Sequence, residues 1–281
     1  GEMALQIAAR TPPDLVLLDI MMPGLDGYEV CRRLRSMPET AEVPIMFLSS
    51  LEEVQNKTRG FEVGANDYLT KPFEMLEVKA RVRSLLKAKA YADAVKEKIA
   101  YDLRIAREIQ MGILPPEVAM IAEGTGLEAQ AILHPAQAVG GDLYEVLRRP
   151  DGKLVVVIGD VSGKGIPAAL FMAVTMTLVR AMSPDATDPS QLLRRVSDSL
   201  ATQNQRNMFV TILCAIYDPT TGRLDYASAG HPPLALIRQG KAEFLTLEPD
   251  MAAGIMAGLS APSQSTQLQP GDSVVFYTDG V

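Results

Sequence analysis

Short, wholly apolar runs alternate with amphipathic stretches along the first 76 residues. "DLVLLDI" predicts a buried strand, "MMPGLDG" a loop and Tyr28–Leu34 a helix. "VPIMFLSS" predicts a second buried strand, Glu52–Val63 a helix, and "DYLTKP" a third strand closed by a proline. Uninterrupted apolar strands alternating with helices imply a parallel sheet covered on both faces.

From 77 to 114 the pattern changes. There is no proline, and no glycine before Gly112. Apolar residues recur at Val78, Val82, Leu85, Ala92, Val95, Ile99, Leu103, Ala106, Ile109 and Ile113, mostly in steps of three or four, which predicts one long helix with an apolar stripe. The spacing breaks near Ala88 and along Val95–Ile99–Leu103, and Lys89 and Lys96 fall on heptad positions. Two readings therefore stand, a connector packed on its own domains and a coiled-coil stalk of a parallel homodimer, with the dimer favoured. "LPPE" at 114–117 ends the helix through its prolines.

Residues 115–281 are rich in β-type runs: "LVVVIGDV", "FVTILCAIYD", "RLDYASAG", "LALIR" and "DSVVFYTDG". "PDGK", "PTTGR" and "RQGK" read as hairpin turns. Two helices interrupt the runs, Ala168–Met182, which reads as buried, and Gln191–Asn204. Sheets with a few long helices predict an α/β sandwich. No internal repeat is visible.

A length of 281 residues suits two domains and a connector, and 47% hydrophobic residues can supply their cores. No run of ~18 apolar residues is present, so no membrane-spanning helix is expected. Cys31 and Cys214 are too few for a disulfide framework or a thiolate zinc site, which places the chain in a reducing cytoplasm. The net charge of −7 argues against nucleic acid as a partner. With two histidines, metal chemistry would fall to carboxylates, which favours Mg²⁺ or Mn²⁺.

Candidate chemistry falls into two constellations. Asp19 closes the first strand, Ser49 and Ser50 the second, and Lys71 follows the third, so parallel strands would present a carboxylate, a hydroxyl and an ammonium at one rim. That set suits a covalent acyl-phosphate: the carboxylate attacks phosphorus while hydroxyl and ammonium hold phosphoryl oxygens. Singly, Asp19 could be a strand-end cap and Lys71 a surface charge.

"PDLVLLDIMMPGLDGYEV", "VPIMFLSS" and "GANDYLTKPF" closely resemble the receiver domain of two-component response regulators. The resemblance implies a flavodoxin-like, doubly wound parallel sheet and a cognate histidine kinase. It implies Asp19 as phospho-acceptor, Mg²⁺ held partly by the Met21 carbonyl, Ser49 as switch hydroxyl, Tyr68 as switch aromatic, and Lys71 as phosphate-binding lysine before a cis Pro72. The chain begins at what matches a receiver's second helix. A strand, helix and strand of roughly 30–40 residues, carrying an acidic pair, are thus expected ahead of "GEMALQIAAR".

The second constellation is three aspartates in glycine-flanked turns beside β-type runs: Asp142 in "VGGDLYEV", Asp160 in "VVVIGDVSGKG" and Asp279 in "VVFYTDGV". Converging carboxylates can hold two divalent ions that clamp a phosphoryl group for in-line attack by hydroxide. Any one of them alone is better read as a turn. "GDVSGKG" lacks phosphate-loop spacing, and Lys164 reads as a surface residue near the substrate entrance. His134 and His231, each before proline, read as turn histidines without a partner at metal-ligand spacing.

"AREIQMGILPP", "PAQAVGGDLYEV", "IGDVSGKGIPAALFMA", "FVTILCAIYD", "YASAGHPPLAL" and "PGDSVVFYTDGV" resemble PPM-type metal-dependent serine/threonine phosphatases of the stage II sporulation branch, over nearly all of 104–281. The resemblance implies a sandwich of two antiparallel sheets and a pair of Mn²⁺ or Mg²⁺ ions bridged by Asp160. Asp279 would ligate one ion, the Val161 carbonyl the other, and Asp142 would contact the site directly or through water. A further aspartate on a later strand is expected beyond Val281. The implied order is receiver at 1–76, helical linker at 77–114 and phosphatase at 115–281. The implied substrate is a phosphorylated anti-sigma-factor antagonist, under control of phosphorylation at Asp19. The rival reading is a non-catalytic adaptor that binds a sigma factor or its regulator.

Overall fold

The computed structural model of the chain describes residues 1–50, 57–115, 117–135, 138–202, 204 and 206–279. It divides into two compact units, Gly1–Ala100 and Tyr101–Val281.

In the first unit, strands β1 (Val16–Asp19), β2 (Ile45–Ser49) and β3 (Asp67–Thr70) form a parallel sheet in that order. Helices α1 (Glu2–Arg10), α2 (Gly27–Ser36) and α3 (Lys57–Glu62) connect or precede them. Residues 52–56 of the helix expected over 52–63 lie outside the described residues, which resume at 57. Side chains leave a strand alternately to its two faces. Accordingly Ile45 and Phe47 join Leu18, Ile20, Tyr28, Val30, Cys31 and Leu34 in one core, while Met46 and Leu69 join Val78 on the other side. The sheet is covered on both faces, as its apolar runs imply. Helix α2 starts where Asp26 accepts the Glu29 N–H at 2.7 Å, and it buries the stripe Tyr28, Val30, Cys31 and Leu34.

Helix α4 runs from Met75 to Ile113, close to the expected 77–114. Its first turns belong to the first unit, through Val78, Val82 and Leu85, and its last turns to the second.

The second unit also contains the short α5 (Val118–Ile121), α6 (Ile166–Met182) and α7 (Pro189–Thr202). Strands β4 (Leu143–Arg148), β5 (Leu154–Val161), β6 (Val210–Asp218), β7 (Arg223–Ala229) and β10 (Gln264–Gln267) form an antiparallel sheet in the order β10-β7-β6-β5-β4. Strands β8 (Ala235–Arg238), β9 (Lys241–Phe244) and β11 (Ser273–Val275) form a second antiparallel sheet in the order β11-β8-β9. One face of the larger sheet packs Val155, Val157, Ile212 and Cys214 against Met172, Met176 and Val179 of α6 and Leu192, Leu193 and Val196 of α7. Its other face packs Ile158, Leu213 and Ala215 against Leu234, Leu236 and Val274 of the smaller sheet.

Helix α6 departs from the expectation of a wholly buried helix. Ile166, Leu170 and Val174, spaced one turn apart, are exposed along one side. Only the side carrying Ala168, Met172, Met176 and Val179 meets the sheet.

Candidate functional site

In the first unit, parallel register does the assembly. Asp19 pairs with Leu48 and Ser49 with Thr70, so the carboxyl ends of the three strands lie side by side. Lys71 follows directly, tied back by its N–H to the Ser49 carbonyl at 2.7 Å. Its ammonium donates to Asp19 Oδ2 as an ion pair, with both side chains about half exposed. The Ser49 hydroxyl is buried and has no hydrogen-bond partner among the described residues, a state that costs about 1–3 kcal/mol. Tyr68 lies inward between Phe47 and Phe61, at ring separations of 5.6 and 5.1 Å. Burial, with Tyr28 adding to it, pushes its phenol up to about 12. The Lys71–Pro72 peptide is cis. Met21 lies in the loop after β1 with its side chain exposed.

In the second unit, ladder register brings two of the three aspartates together. Leu143 pairs with Gly159 across β4 and β5, and the Val161 N–H reaches the Gly141 carbonyl at 3.4 Å. Continued by one residue, that register sets Asp142 opposite Asp160. The approach requires a glycine: a Cβ on Gly141 would lie 2.7 Å from the Val161 carbonyl oxygen. On the far side of β5, Thr211 of β6 is the partner of Asp160. Asp142, Asp160 and Thr211 therefore form a row across three strands, on the face that carries Ile158 and Leu213 into the space between the sheets. Asp279 comes from the other sheet, four residues past β11. The sequence reading put all three in turns. Instead Asp142 precedes its strand, Asp160 lies within one, and only Asp279 follows one.

Burial, then repulsion by Asp142 and by Asp279, pushes the Asp160 carboxyl from its ordinary 3.8 to about 6. The three carboxylates thus share one field, and no ion pair among the described residues involves any of them. Among the described residues no three such side chains close into a group that could by itself hold a metal ion. An uncompensated, all-oxygen donor set on carboxylates that share one field fits hard divalent cations in charge and ligand type.

Three further contacts went unread in the sequence. Gln110 of α4, buried, donates to the Gly140 carbonyl at 2.6 Å and accepts the Gly140 N–H at 3.2 Å, two residues before Asp142. Arg180 of α6 donates to the buried Glu145 of β4 at 2.5 Å and to the carbonyl of Ile113, the last residue of α4. His231 is buried, with Nδ1 3.2 Å from Thr211 Oγ1 and Nε2 3.0 Å from the Tyr277 carbonyl. Burial first of all lowers its pKa from 6.5. "AREIQMGILPP" and "GHPP" contain Gln110 and His231, but nothing local in either motif names their partners. His134 lies in the irregular segment before Asp142.

Comparison with known proteins follows the division into units. Residues 1–83 match the response regulator receiver domain, and residues 150–281 match the family of stage II sporulation protein E (SpoIIE). The chain is 49% identical over 81 residues to the DNA-binding dual master transcriptional regulator RpaA of Synechocystis sp., covering 29% of this chain and 34% of RpaA. It is similar to the RsbU and RsbW domains of Rv1364c from Mycobacterium tuberculosis, with 31% identity, 53% of this chain and 41% of that one covered, and a TM-score of 0.47. It shares its fold with the SiaA-PP2C domain of Pseudomonas aeruginosa, at 21% identity, 64% of this chain and 72% of that one, and a TM-score of 0.56. The chain spans about a third of the length of RpaA.

Proposed function

We propose that this chain, a response-regulator receiver domain joined to a SpoIIE-type phosphatase domain of the PP2C fold, removes phosphate from phosphoserine or phosphothreonine of a protein substrate under control of phosphorylation at Asp19. The observation that carries the reading is the field shared by Asp142, Asp160 and Asp279. When bound there, two Mn²⁺ or Mg²⁺ ions would supply an activated water and clamp the phosphoryl oxygens. Asp160, Asp279 and the Val161 carbonyl would hold them, with Asp142 contributing directly or through water. The protein contributes the charge arrangement, on a face that also carries the apolar Ile158 and Leu213.

In the receiver unit, an Asp19 oxygen would form the bond to phosphorus as the donor's bond breaks. Lys71 then passes from the carboxylate to the phosphoryl oxygens, and the Ser49 hydroxyl gains the acceptor it lacks. Mg²⁺, held partly by the Met21 carbonyl, belongs to this step by resemblance.

Coupling would run through α4. Gln110 grips the loop that carries Asp142, and Arg180 joins the end of α4 to β4 and α6. An equilibrium shift of ~1–3 kcal/mol is enough for such control. The exposed side chains Tyr91, Val95, Ile99 and Ile109 support α4 as the seam of a homodimer. The receiver implies a phosphodonor such as a histidine kinase, and the phosphatase domain implies a phosphoprotein. We assign the latter to an anti-sigma-factor antagonist. Two free, buried cysteines suit a cytoplasmic protein, and among the described residues no helix is long and apolar enough to cross a membrane.

The test is phosphate release from a phosphoserine protein in Mn²⁺, with and without beryllofluoride as an acyl-phosphate mimic. Release that changes with beryllofluoride is the expected result. Equal rates would reject the coupling, and no release in either case would leave the adaptor reading.

A further inference from the structure

We propose that His231 is a positioning residue for the phosphatase site: its imidazole is the strut that sets Asp279, carried by one sheet, against Asp160, carried by the other. This deepens the two-ion reading above and rests on it.

The backbone at His231 is already fixed without the ring. Its N–H donates to Ser228 Oγ at 3.0 Å, and Ser228 Oγ donates to its carbonyl at 2.9 Å. Gly230, at φ +72°, makes the turn beside Ala252, whose nitrogen would be 3.1 Å from any Cβ placed there. A histidine serving only the turn would need nothing more. Here both ring nitrogens are engaged as well.

The two engagements define one tautomer. A carbonyl oxygen only accepts, so the Nε2 facing Tyr277 carries the hydrogen. Nδ1 then offers its lone pair to the Thr211 hydroxyl, whose oxygen also lies 3.4 Å from the Asp160 carbonyl. Thr211 is the ladder partner of Asp160. Tyr277 lies two residues before Asp279 and past the last ladder pair of its sheet, Val275 with Ala235. The Tyr277 ring leans on Phe244 of β9 at 6.4 Å, so its side chain is held by the smaller sheet and its carbonyl by the larger one. The imidazole is thereby the hydrogen-bonded link from the Asp160 row to the Asp279 segment.

Groups that orient metal-binding side chains typically change affinity 10–100-fold when removed. The test is calorimetric titration of the whole chain with Mn²⁺ alone, alongside thermal melts of the metal-free protein. His231→Gln keeps an amide donor near the Nε2 position, whereas His231→Asn is too short to reach the Tyr277 carbonyl. The expected result is near-unaltered Mn²⁺ affinity in His231→Gln and a loss of about 10–100-fold in His231→Asn, beyond what their melting points explain. Thr211→Val, which keeps the side chain's shape and removes the hydroxyl, is expected to lose less than His231→Asn, and it carries the test should that variant not fold. Unaltered affinity in His231→Asn, or in Thr211→Val where it stands in, would overturn the inference. So would equal losses in Gln and Asn that follow thermal stability. Absence of Mn²⁺ binding by the unaltered chain would instead overturn the two-ion reading, and this inference with it.

Discussion

Each unit sets an aspartate at the carboxyl end of a strand, and the two carboxylates keep opposite company. Asp19 is met by the Lys71 ammonium, so the receiver unit carries its own counter-charge on the neighbouring strand end. Asp160 is met by Asp142 in ladder register and by Asp279 from the other sheet, and no ion pair among the described residues offsets them. The first arrangement pairs its carboxylate with a cation supplied by the chain itself. The second holds like charges together at a cost to the fold, which protonation of Asp160 or a bound cation would relieve. Proteins tolerate such repulsion where function requires it.

Substitution at Asp160 tests that contrast most strongly. Asp160→Asn is expected to lower Mn²⁺-dependent phosphate release by ~10³-fold while raising the melting temperature of the metal-free chain, because it removes a repelled charge. A lower melting temperature would break the comparison. Gln110→Ala leaves the N–H and carbonyl of Gly140 without their partner. It should cost about 1–3 kcal/mol in denaturant unfolding of the second unit and weaken Mn²⁺ binding with it, leaving uptake of phosphate from acetyl phosphate unchanged.

The dependence on pH sharpens the same point. The folded carboxyl of Asp160 titrates at about 6, above its ordinary 3.8, so the fold favours its protonated form. Its contribution to stability is full below about pH 4 and is lost as pH rises through 6. Asp188 and Asp272, both lowered, act in the opposite direction. The effect is therefore read as the difference between Asp160→Asn and the unaltered chain in metal-free melts from pH 4.5 to 8, a gap that should widen with pH and close in saturating Mn²⁺. The smallest effect belongs to Asp19→Asn. It breaks a half-exposed ion pair worth about 0–1 kcal/mol, with a sign opposite to Asp160→Asn, and it abolishes labelling by acetyl phosphate.

Elements whose signal is local were readable in the chain. "LVVVIGDV" is strand β5, Leu154–Val161, and the 77–114 stripe is helix α4 with its ends shifted by no more than two residues. Of the strands that went unread, β4, β9 and β10, the last two have no apolar run. Every residue of β9 is exposed, and β10 is "QSTQ". Each exists because a neighbour, β8 or β7, offers it a ladder of main-chain hydrogen bonds. Helix α6 misled in the other direction. Its composition is apolar all round, yet Ile166, Leu170 and Val174 face outward, because a helix meets the sheet along only one side.

For the sites the division is similar. Order along the chain was enough to single out Asp19, Ser49 and Lys71, because parallel strands joined by helices necessarily align their carboxyl ends. It also sufficed to single out Asp142, Asp160 and Asp279 by their glycine-flanked setting. The choice of neighbours belonged to the tertiary structure: register sets Asp142 across from Asp160 and Thr211, the packing of two sheets delivers Asp279, and Gln110, Arg180 and His231 find partners tens of residues away. Hydrophobic periodicity is a property of consecutive residues. A hydrogen bond between distant segments depends on how whole sheets and helices stack, and no window along the chain contains that information.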